Sequence, residues 1–494
     1  MIKRLLIANR GEIALRIIRA CREMGIESVA VYSEADRLAP HAAAADRAFL
    51  IGPASAAESY LSVPRLLEAA RTSLADAVHP GYGFLSENAA FADACERAGL
   101  VWVGPPPAVI AQMGSKIDAR RLMERAGVPV VPGETPDDQS DKGLRAAVDR
   151  VGLPALVKAS AGGGGKGMRR VTRADEVADA IQAARREATA AFGDGTLYVE
   201  RLVEKPRHIE VQVFGDAHGE VVHLFERECS VQRRHQKVIE ESPSPAIAPD
   251  LRAKITAAAV QAARAAGYRN AGTIEFLVDL AGAGAFYFLE MNTRLQVEHP
   301  VTEQVAGVDL VRAQIVVAAG GRLPWSQASL TARGHAIEAR VYAEDPGQGF
   351  LPQAGRLLLY REPRMPGVRV DAGIAEGGEV SVHYDPMLAK VIAHAETRDL
   401  AIARLVAALR AYPILGIRTN IPFLLRILDH WRFRAADVDT SFLDTDGAPL
   451  AEAEAAELPV EVRAAVDAHE AAPVATGGQK AASDPWQQLK EWRG

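Results

Sequence analysis

The chain has 494 residues, 48% of them hydrophobic and 24% charged, which indicates a globular protein of roughly three domains. Its formal charge of −6 lacks the basic surplus that binding to nucleic-acid backbones requires, so no nucleic-acid partner is expected. Three widely spaced cysteines fit neither a disulfide framework nor a zinc knuckle, and no apolar run approaches the ~20 residues that a membrane helix needs. We therefore expect a cytoplasmic protein without a membrane contact.

Residues 1–112 form the first predicted domain, in which short apolar runs alternate with helical periodicity. The predicted strands and helices lie at residues 4–8, 13–25, 28–33, 76–84 and 91–105. This alternation predicts a doubly wound α/β domain with a parallel sheet. Its first turn contains one glycine, Gly11, where a dinucleotide-binding loop needs three, so NAD binding is disfavoured although Glu34 follows the second strand.

The second predicted domain, residues 113–332, contains the most specific local feature of the chain, KASAGGGGKG at residues 158–167. Four consecutive glycines (Gly162, Gly163, Gly164 and Gly165) predict a loop whose backbone N–H groups can close on an anion. The spacing does not match a Walker A loop, and a plain glycine-rich linker is the alternative. Lys158 favours the anion-binding interpretation because it brings a charge into a buried strand.

The segment at residues 208–216 alternates strictly between polar and apolar side chains. His208, Glu210 and Gln212 would share one face of a strand. Such a face either lines a site or is simply solvated, and the segment alone does not decide between these two interpretations.

Two apolar strands, residues 273–279 and 285–291, are joined by a short turn and predict a β-hairpin. A turn centred on residues 281–284 places Glu275 directly opposite Glu290, with Asn292 on the same face. Facing carboxylates repel unless a cation lies between them, and oxygen ligands suit Mg²⁺. The alternative is a register shifted by one residue, with both glutamates solvated.

Charged side chains cluster on either side of this hairpin. Arg294 and Glu298 follow it directly, and the segment QRRHQK at residues 232–237 adds further cationic groups. In a nearly neutral chain this clustering indicates an anion site. Arg340 ends an apolar run and fits a structural ion pair as well as a catalytic group.

The third predicted domain, residues 333–444, is a mixed α+β region that contains a helix at residues 398–413. Residues 445–494 form an Ala/Glu-rich tail in which nine acidic and four basic side chains give a charge of −5. The composition predicts a loosely attached extension. Its segment from Asp484 to Trp492 is a candidate docking site for a partner subunit or a remnant of a linker to a fused carrier protein.

Taken together, these segments resemble the biotin carboxylases of the ATP-grasp superfamily, from about residue 2 to about residue 442. The resemblance is carried, in order, by IANRGEIALRIIRA, HPGYGFLSEN, MGSK, KASAGGGGKGM, ERLVEKPRHIEVQV, ECSVQRRHQKVIEE, GTIEFL, FLEMNTRLQVEHPVTE, IEARVYAED and YDPMLAK. It implies an N-terminal doubly wound (Rossmann-like) domain, a central ATP-grasp domain with a mobile lid at about residues 130–203, and a C-terminal mixed α+β domain. It also implies that ATP and bicarbonate form carboxyphosphate, whose carboxyl group passes to N1′ of carried biotin.

The resemblance assigns roles to individual residues. ATP would be bound by Lys116, Lys158, Gly162, Gly163, Gly164, Gly165, Glu200, Arg201, Val203, His208, Gln232 and His235. Bicarbonate would be bound by Lys237, Arg294, Gln296, Val297 and Glu298. Biotin would be bound by Tyr82 and Arg340. Two metal ions, Mg²⁺ or Mn²⁺, would be bound by Glu275, Glu290 and Asn292. The catalytic residues would be Glu298 as general base and Arg340 as stabiliser of the biotin oxyanion, together with Arg294 and Lys237.

The sequence also predicts partners. No methionine is followed by lysine, so the biotin-accepting motif is missing, and we expect the biotin on a separate carrier protein. A carboxyltransferase subunit would complete an acetyl-CoA or acyl-CoA carboxylase, and an acetyl-CoA carboxylase would act in fatty acid biosynthesis. The family resemblance also implies a homodimer. The alternatives are the biotin carboxylase subunit of a two-subunit pyruvate carboxylase, another ATP-grasp carboxylate–amine ligase, and a non-catalytic nucleotide-binding module.

Overall fold

The computed structural model describes residues 2–160, 167–280 and 284–452. In its N-terminal region, five strands form a parallel sheet in the order β3-β2-β1-β4-β5. The strands are β1 Arg4–Ile7, β2 Glu27–Tyr32, β3 Arg47–Leu50, β4 Ala77–His79 and β5 Val101–Trp102, and the helices are α1 Gly11–Met24, α2 Pro40–Ala44, α3 Val63–Ser73, α4 Ala89–Arg97 and α5 Pro107–Gly114.

Helices cover both faces of this sheet because side chains of β1 alternate between two cores. Leu5 and Ile7 pack with residues of α1, whereas Leu6 packs with residues of α3 and α4. The predicted doubly wound arrangement is confirmed. The loops that follow β1 and β4 are joined by hydrogen bonds. Asn9 Nδ2 donates to the carbonyl oxygens of Pro80 and Tyr82, both at 2.7 Å.

The central region contains a small antiparallel sheet and the beginning of a large one. Its elements are α6 Lys116–Arg125, β6 Gly133–Glu134, α7 Asp141–Val151, β7 Ala155–Ala159, β8 Met168–Val171, α8 Val177–Phe192, β9 Leu197–Arg201, β10 Arg207–Gly215, β11 Val221–Arg233, β12 Gln236–Ser242, α9 Pro249–Ala265, β13 Asn270–Asp279, β14 Ala285–Asn292, α10 His299–Ala306 and α11 Leu310–Ala318. The small sheet, β6-β9-β7-β8, packs against α7 and α8 and lies within the predicted lid.

The C-terminal region continues the large sheet. Its elements are β15 His335–Tyr342, β16 Glu344–Asp345, β17 Leu351–Pro352, β18 Gly355–Arg356, β19 Leu359–Tyr360, β20 Val368–Ala372, β21 Glu379–Val380, β22 Met387–Ala395, α12 Arg398–Arg410, β23 Ile414–Leu415, α13 Ile421–Asp429, α14 Trp431–Arg434 and α15 Phe442–Ala451. The large sheet has eight antiparallel strands in the order β14-β13-β10-β11-β12-β15-β22-β20. Since β12 pairs with β15, side chains from the central and C-terminal regions share one surface.

Two features differ from the sequence predictions. The apolar periodicity of EQVAGVDLVRAQIVVAAG at residues 303–320 predicts one helical segment. The structure divides it into α10 and α11, because Gly307 adopts a φ of 67° and Asp309 caps the next helix through a 2.7 Å hydrogen bond from Arg312 N. The predicted tail boundary at Asp444 lies inside α15, where Leu443 and Leu450 are buried. The proposed docking segment lies outside the described residues.

No helix in the described ranges is long and apolar enough to cross a membrane.

Candidate active site

A cavity of about 530 Å³ lies between the small sheet and the large sheet. Nearly all the described residues that the sequence assigned to a site line it. They are Lys116, Lys158, Glu200, Arg201, Val203, His208, Gln232, His235, Lys237, Glu275, Glu290, Asn292, Arg294, Gln296, Val297 and Arg340. The glycines at 162–165 lie outside the described residues.

At one end of this cavity, Lys158 on β7 is buried beside the carboxylate of Glu200 on β9. Lys158 Nζ donates to Glu200 Oε2 at 2.9 Å, and Arg120 Nη1 donates to Glu200 Oε1 at 2.8 Å. Burial alone would lower the pKa of Lys158, but the neighbouring Glu200 carboxylate has the larger effect and raises this pKa above its ordinary value. Lys116, at the start of α6, has a pKa lowered by burial and by the charge of Lys158. Two cations therefore face the same space, and one is held in place by Glu200.

The neighbouring wall of the cavity comes from the hinge after β9 and from the β11–β12 turn. Arg201 is exposed and donates to Tyr287 Oη at 2.9 Å, whereas Val203 is buried. His235 is exposed and Gln232 is half-buried. This wall is thus partly apolar and carries few fixed charges.

Four charged side chains cross the large sheet in register. Arg227, Glu210, Glu275 and Glu290 are successive partners on β11, β10, β13 and β14. The predicted pairing of Glu275 with Glu290 is therefore correct, and the register shifts only at the next residue. The polar face of β10 is buried, so the solvated interpretation of this strand is wrong.

The predicted metal ligands lie together at the β13–β14 end of this row. Asn292 Nδ2 donates to Glu275 Oε1 at 2.7 Å, and His208 Nε2 lies 2.7 Å from Glu275 Oε2. Burial and the Glu275 carboxylate raise the pKa of Glu290, so a cation between the two glutamates would relieve their repulsion. The oxygen-rich ligand set and this unfavourable pair fit a divalent cation such as Mg²⁺.

The centre of the site is a buried network of carboxylates and cations. Lys237 Nζ on β12 donates to Glu210 Oε2 at 2.5 Å, Glu275 Oε1 at 2.9 Å and Glu298 Oε1 at 2.7 Å. Arg340 Nη2 on β15 donates to Glu298 Oε2 at 3.0 Å. Burial would raise the pKa of Glu298, but Lys237 and Arg340 hold it well below its ordinary range. Glu298 is therefore a carboxylate whose basicity is controlled by two cations.

The loop between β14 and α10 supplies the remaining polar groups. Arg294 Nη1 donates to Gln296 Oε1 at 2.7 Å, and Arg294 Nε donates to Glu87 Oε2 at 2.8 Å. Lys390, fully buried on β22, donates to the carbonyl oxygen of Val297 at 2.5 Å. The loop is thus fixed by the N-terminal region on one side and by the C-terminal region on the other.

A second cavity of about 510 Å³ shares Arg294, Val297 and Arg340 with the first. Tyr82 lines it, together with the loop after β1 and residues 383–385. Arg340 therefore stands where the two cavities meet, between the cation-rich space and a more apolar one.

Several residues that contact this network were not among the predicted site residues: Glu87, Glu210, Arg227, Glu240 and Lys390. Glu210 could have been found, because it lies on the polar face of β10. Arg227 contacts Glu210 across the neighbouring strands β10 and β11. Glu87, Glu240 and Lys390 carry no local signal, because the partner of each is distant in sequence.

Comparisons with known proteins agree with this geometry. The family model described as "Biotin carboxylase, N-terminal domain" matches residues 1–110, "Carbamoyl-phosphate synthase L chain, ATP binding domain" matches residues 115–326, and "Biotin carboxylase C-terminal domain" matches residues 338–445. Biotin carboxylase 2 of Bacillus subtilis is 52% identical over 443 residues, which cover 90% of this chain and 99% of that protein.

Two further comparisons concern parts of larger carboxylases. The mitochondrial methylcrotonoyl-CoA carboxylase subunit alpha of Rattus norvegicus is 51% identical over 443 residues, 90% of this chain but 62% of that protein, so the chain spans about three fifths of its length. The crystal structure of the biotin carboxylase domain dimer of Hydrogenobacter thermophilus 2-oxoglutarate carboxylase, in complex with MgADP, ADP and bicarbonate, is similar with a TM-score of 0.87 and 44% identity. The match covers 92% of this chain and 100% of the chain in that crystal structure.

Proposed function

The chain belongs to the biotin carboxylase family, and from this premise we propose that it carboxylates carried biotin with ATP and bicarbonate. The observation that carries the proposal is the position of Glu298, a buried carboxylate held by Lys237 and Arg340 beside a cation-lined cavity. Other ATP-grasp ligases share the lysines and the metal carboxylates. The combination of Glu298 with Arg340 favours biotin.

ATP would place its phosphates between Lys116 and Lys158 and its adenine against the wall formed by Glu200, Arg201 and Val203. Glu200 supports this arrangement because it fixes Lys158. Glu275, Glu290 and Asn292 would hold Mg²⁺, which would neutralise phosphate charge when bound. The glycines at 162–165, which lie outside the described residues, would bind the phosphates through their backbone N–H groups.

Bicarbonate would bind beside Lys237, Arg294 and Gln296, with Glu298 as its general base. Bicarbonate is a weak nucleophile until its proton is drawn toward a carboxylate. Because Lys237 and Arg340 lower the pKa of Glu298, a cation that turns toward bound substrate would release the carboxylate and raise that pKa. Binding of the anion would thus make Glu298 basic at the moment when a base is needed.

Biotin would enter through the second cavity, past Tyr82, and reach Arg340 where the two cavities meet. When N1′ loses its proton, negative charge develops on the ureido oxygen, and a preorganised guanidinium stabilises such charge most effectively in a site that excludes water. Arg340 is suited to this role because 9% of its surface is exposed.

The partners follow from the same reaction. We infer that the biotin is carried on a separate protein, that a carboxyltransferase subunit receives the carboxyl group, and that the enzyme is a cytoplasmic homodimer. The similarity to a methylcrotonoyl-CoA carboxylase subunit supports an acyl-CoA as the final acceptor. A keto acid is the second candidate, because the similar structure belongs to a 2-oxoglutarate carboxylase.

The test is ATP hydrolysis by the purified chain with Mg²⁺, with and without bicarbonate and free biotin. We expect hydrolysis that depends on bicarbonate and is stimulated by biotin. Hydrolysis that depends on bicarbonate but is not stimulated by biotin would instead indicate another ATP-grasp ligase.

A further inference from the structure

Arg340 is held from two sides by carboxylates. Its Nε and Nη2 lie 2.6 and 2.5 Å from Glu240 Oε1, whereas Nη2 lies 3.0 Å from Glu298 Oε2. Glu240 and Glu298 are both fully buried. The closer partner of Arg340 is therefore Glu240, a residue to which the family resemblance assigned no role.

Glu240 is also one of two glutamates that face each other in the large sheet. It pairs directly with Glu338 across β12 and β15, and both residues are fully buried. Directly opposed carboxylates cannot both carry charge without a cation between them. Arg340 donates to Glu240, whereas neither oxygen of Glu338 has a hydrogen-bond partner among the described residues. This geometry favours the negative charge of the pair on Glu240 and the proton on Glu338.

The electrostatic environment agrees with this assignment. Burial raises the pKa of both carboxyl groups, that of Glu240 to about 7 and that of Glu338 well above its ordinary value. Arg340 is the strongest opposing influence at Glu240, and Lys390 is the strongest at Glu338. Lys390 is directed instead to the carbonyl oxygen of Val297, so Glu338 stays without a donor.

We propose that Glu240 is a positioning residue for biotin carboxylation, which holds the Arg340 guanidinium at the junction of the two cavities. The inference rests on the proposed function. Without the charge of Glu240, the carboxylate that remains in contact with Arg340 is Glu298. Arg340 would then turn toward Glu298, away from the ureido oxygen of biotin, and would also lower the basicity of the general base.

The chain offers a matched control in the next residue of the same strand. Glu241 is 2% exposed and is paired with Arg398 at 2.7 Å and with His335 at 2.6 Å. Because successive side chains of a strand point to opposite faces, Glu241 lies on the face away from Arg340. Glu241→Gln removes the same charge from the same strand and leaves Arg340 untouched.

The experiment is a double-mutant cycle on biotin-dependent turnover, with Glu240→Gln, Arg340→Met, the double variant and Glu241→Gln. We expect Glu240→Gln to lower kcat 10- to 100-fold with the KM for ATP within twofold of wild type. In the Arg340→Met background, Glu240→Gln should have no further effect on kcat, because it acts through Arg340. Glu241→Gln should keep kcat within threefold of wild type.

Three results would overturn the positioning role: additive effects in the cycle, a wild-type kcat for Glu240→Gln, or an equal loss in Glu241→Gln. If Glu240→Gln does not fold, Glu240→Asp replaces it in the cycle, since it keeps the charge but withdraws the carboxylate from Arg340. Wild-type protein without biotin-dependent turnover would overturn the proposed function itself. An active wild type with an additive cycle would overturn only the role of Glu240.

Discussion

Arg227→Met tests whether the row of charges across the large sheet depends on its arginine. Arg227 is fully buried and donates to Glu210, to Gln212 Oε1 at 2.8 Å, to Thr302 Oγ1 at 2.9 Å and to Thr273 Oγ1 at 3.1 Å. Removing one partner of a buried ion pair costs about 3–5 kcal/mol, because the other charge is left buried. Since Lys237 still donates to Glu210, we expect the lower end, about 3 kcal/mol.

The assay is urea unfolding at pH 7.5, followed by circular dichroism. Arg97→Met is the control: Arg97 pairs with Asp93 at 2.8 Å, but both side chains are more than half exposed, so water can reach the carboxylate that remains. We expect a loss of about 1 kcal/mol there. Adding Glu210→Gln to Arg227→Met should recover about 1 kcal/mol or more, because it removes a buried charge that has lost its arginine. Equal losses for the two arginines, or no recovery in the double variant, would refute the reasoning.

Three further predictions concern the candidate active site and the large sheet. Glu298→Gln should lower kcat by about 10²–10⁴ with an unchanged KM for ATP; a parallel loss of ATP affinity in steady-state assays would make Glu298 structural. Excess EDTA should abolish turnover and added Mg²⁺ should restore it, whereas full activity in EDTA would contradict the metal site. Glu338→Gln should flatten the pH dependence of stability. The raised pKa of Glu338 means that the folded chain keeps a proton that the unfolded chain loses above about pH 4.5, so the contribution of this group to wild-type stability falls as the pH rises above that value, by at most about 1.4 kcal/mol per pH unit. The variant should therefore gain stability over wild type as the pH rises in urea titrations, and parallel curves would contradict the neutral state of Glu338.

The parts of the fold that the sequence predicted correctly are those in which short local patterns determine the structure. Alternation of apolar runs was enough for the N-terminal parallel sheet, because side chains of β1 pack against helices on both faces. The break between α10 and α11 was missed because apolar periodicity continues through Gly307, and only its left-handed backbone ends the helix. The extent of α15 was missed because an Ala-rich composition does not reveal the burial of Leu443 and Leu450.

The candidate site was predictable where a short turn fixes the register. The Glu275–Glu290 pair follows from the length of one hairpin, so counting residues was sufficient. The contact of Arg340 with Glu240 joins residues 100 positions apart on β15 and β12, and no turn links these strands directly. Such contacts are set by the order of strands in the whole sheet, which a single sequence does not specify.

Four pairs of directly opposed glutamates lie on the described strands of the large sheet, and two of these pairs show different ways of resolving the repulsion. Glu290 is half-buried and faces the cavity, so a cation can reach it and Glu275. Glu240 and Glu338 are fully enclosed, so an arginine neutralises one and a proton neutralises the other. A glutamate pair on neighbouring strands therefore predicts a metal only where it is open to a ligand. Where the pair is closed, it predicts a fixed cation, and for Glu240 and Glu338 that cation is Arg340.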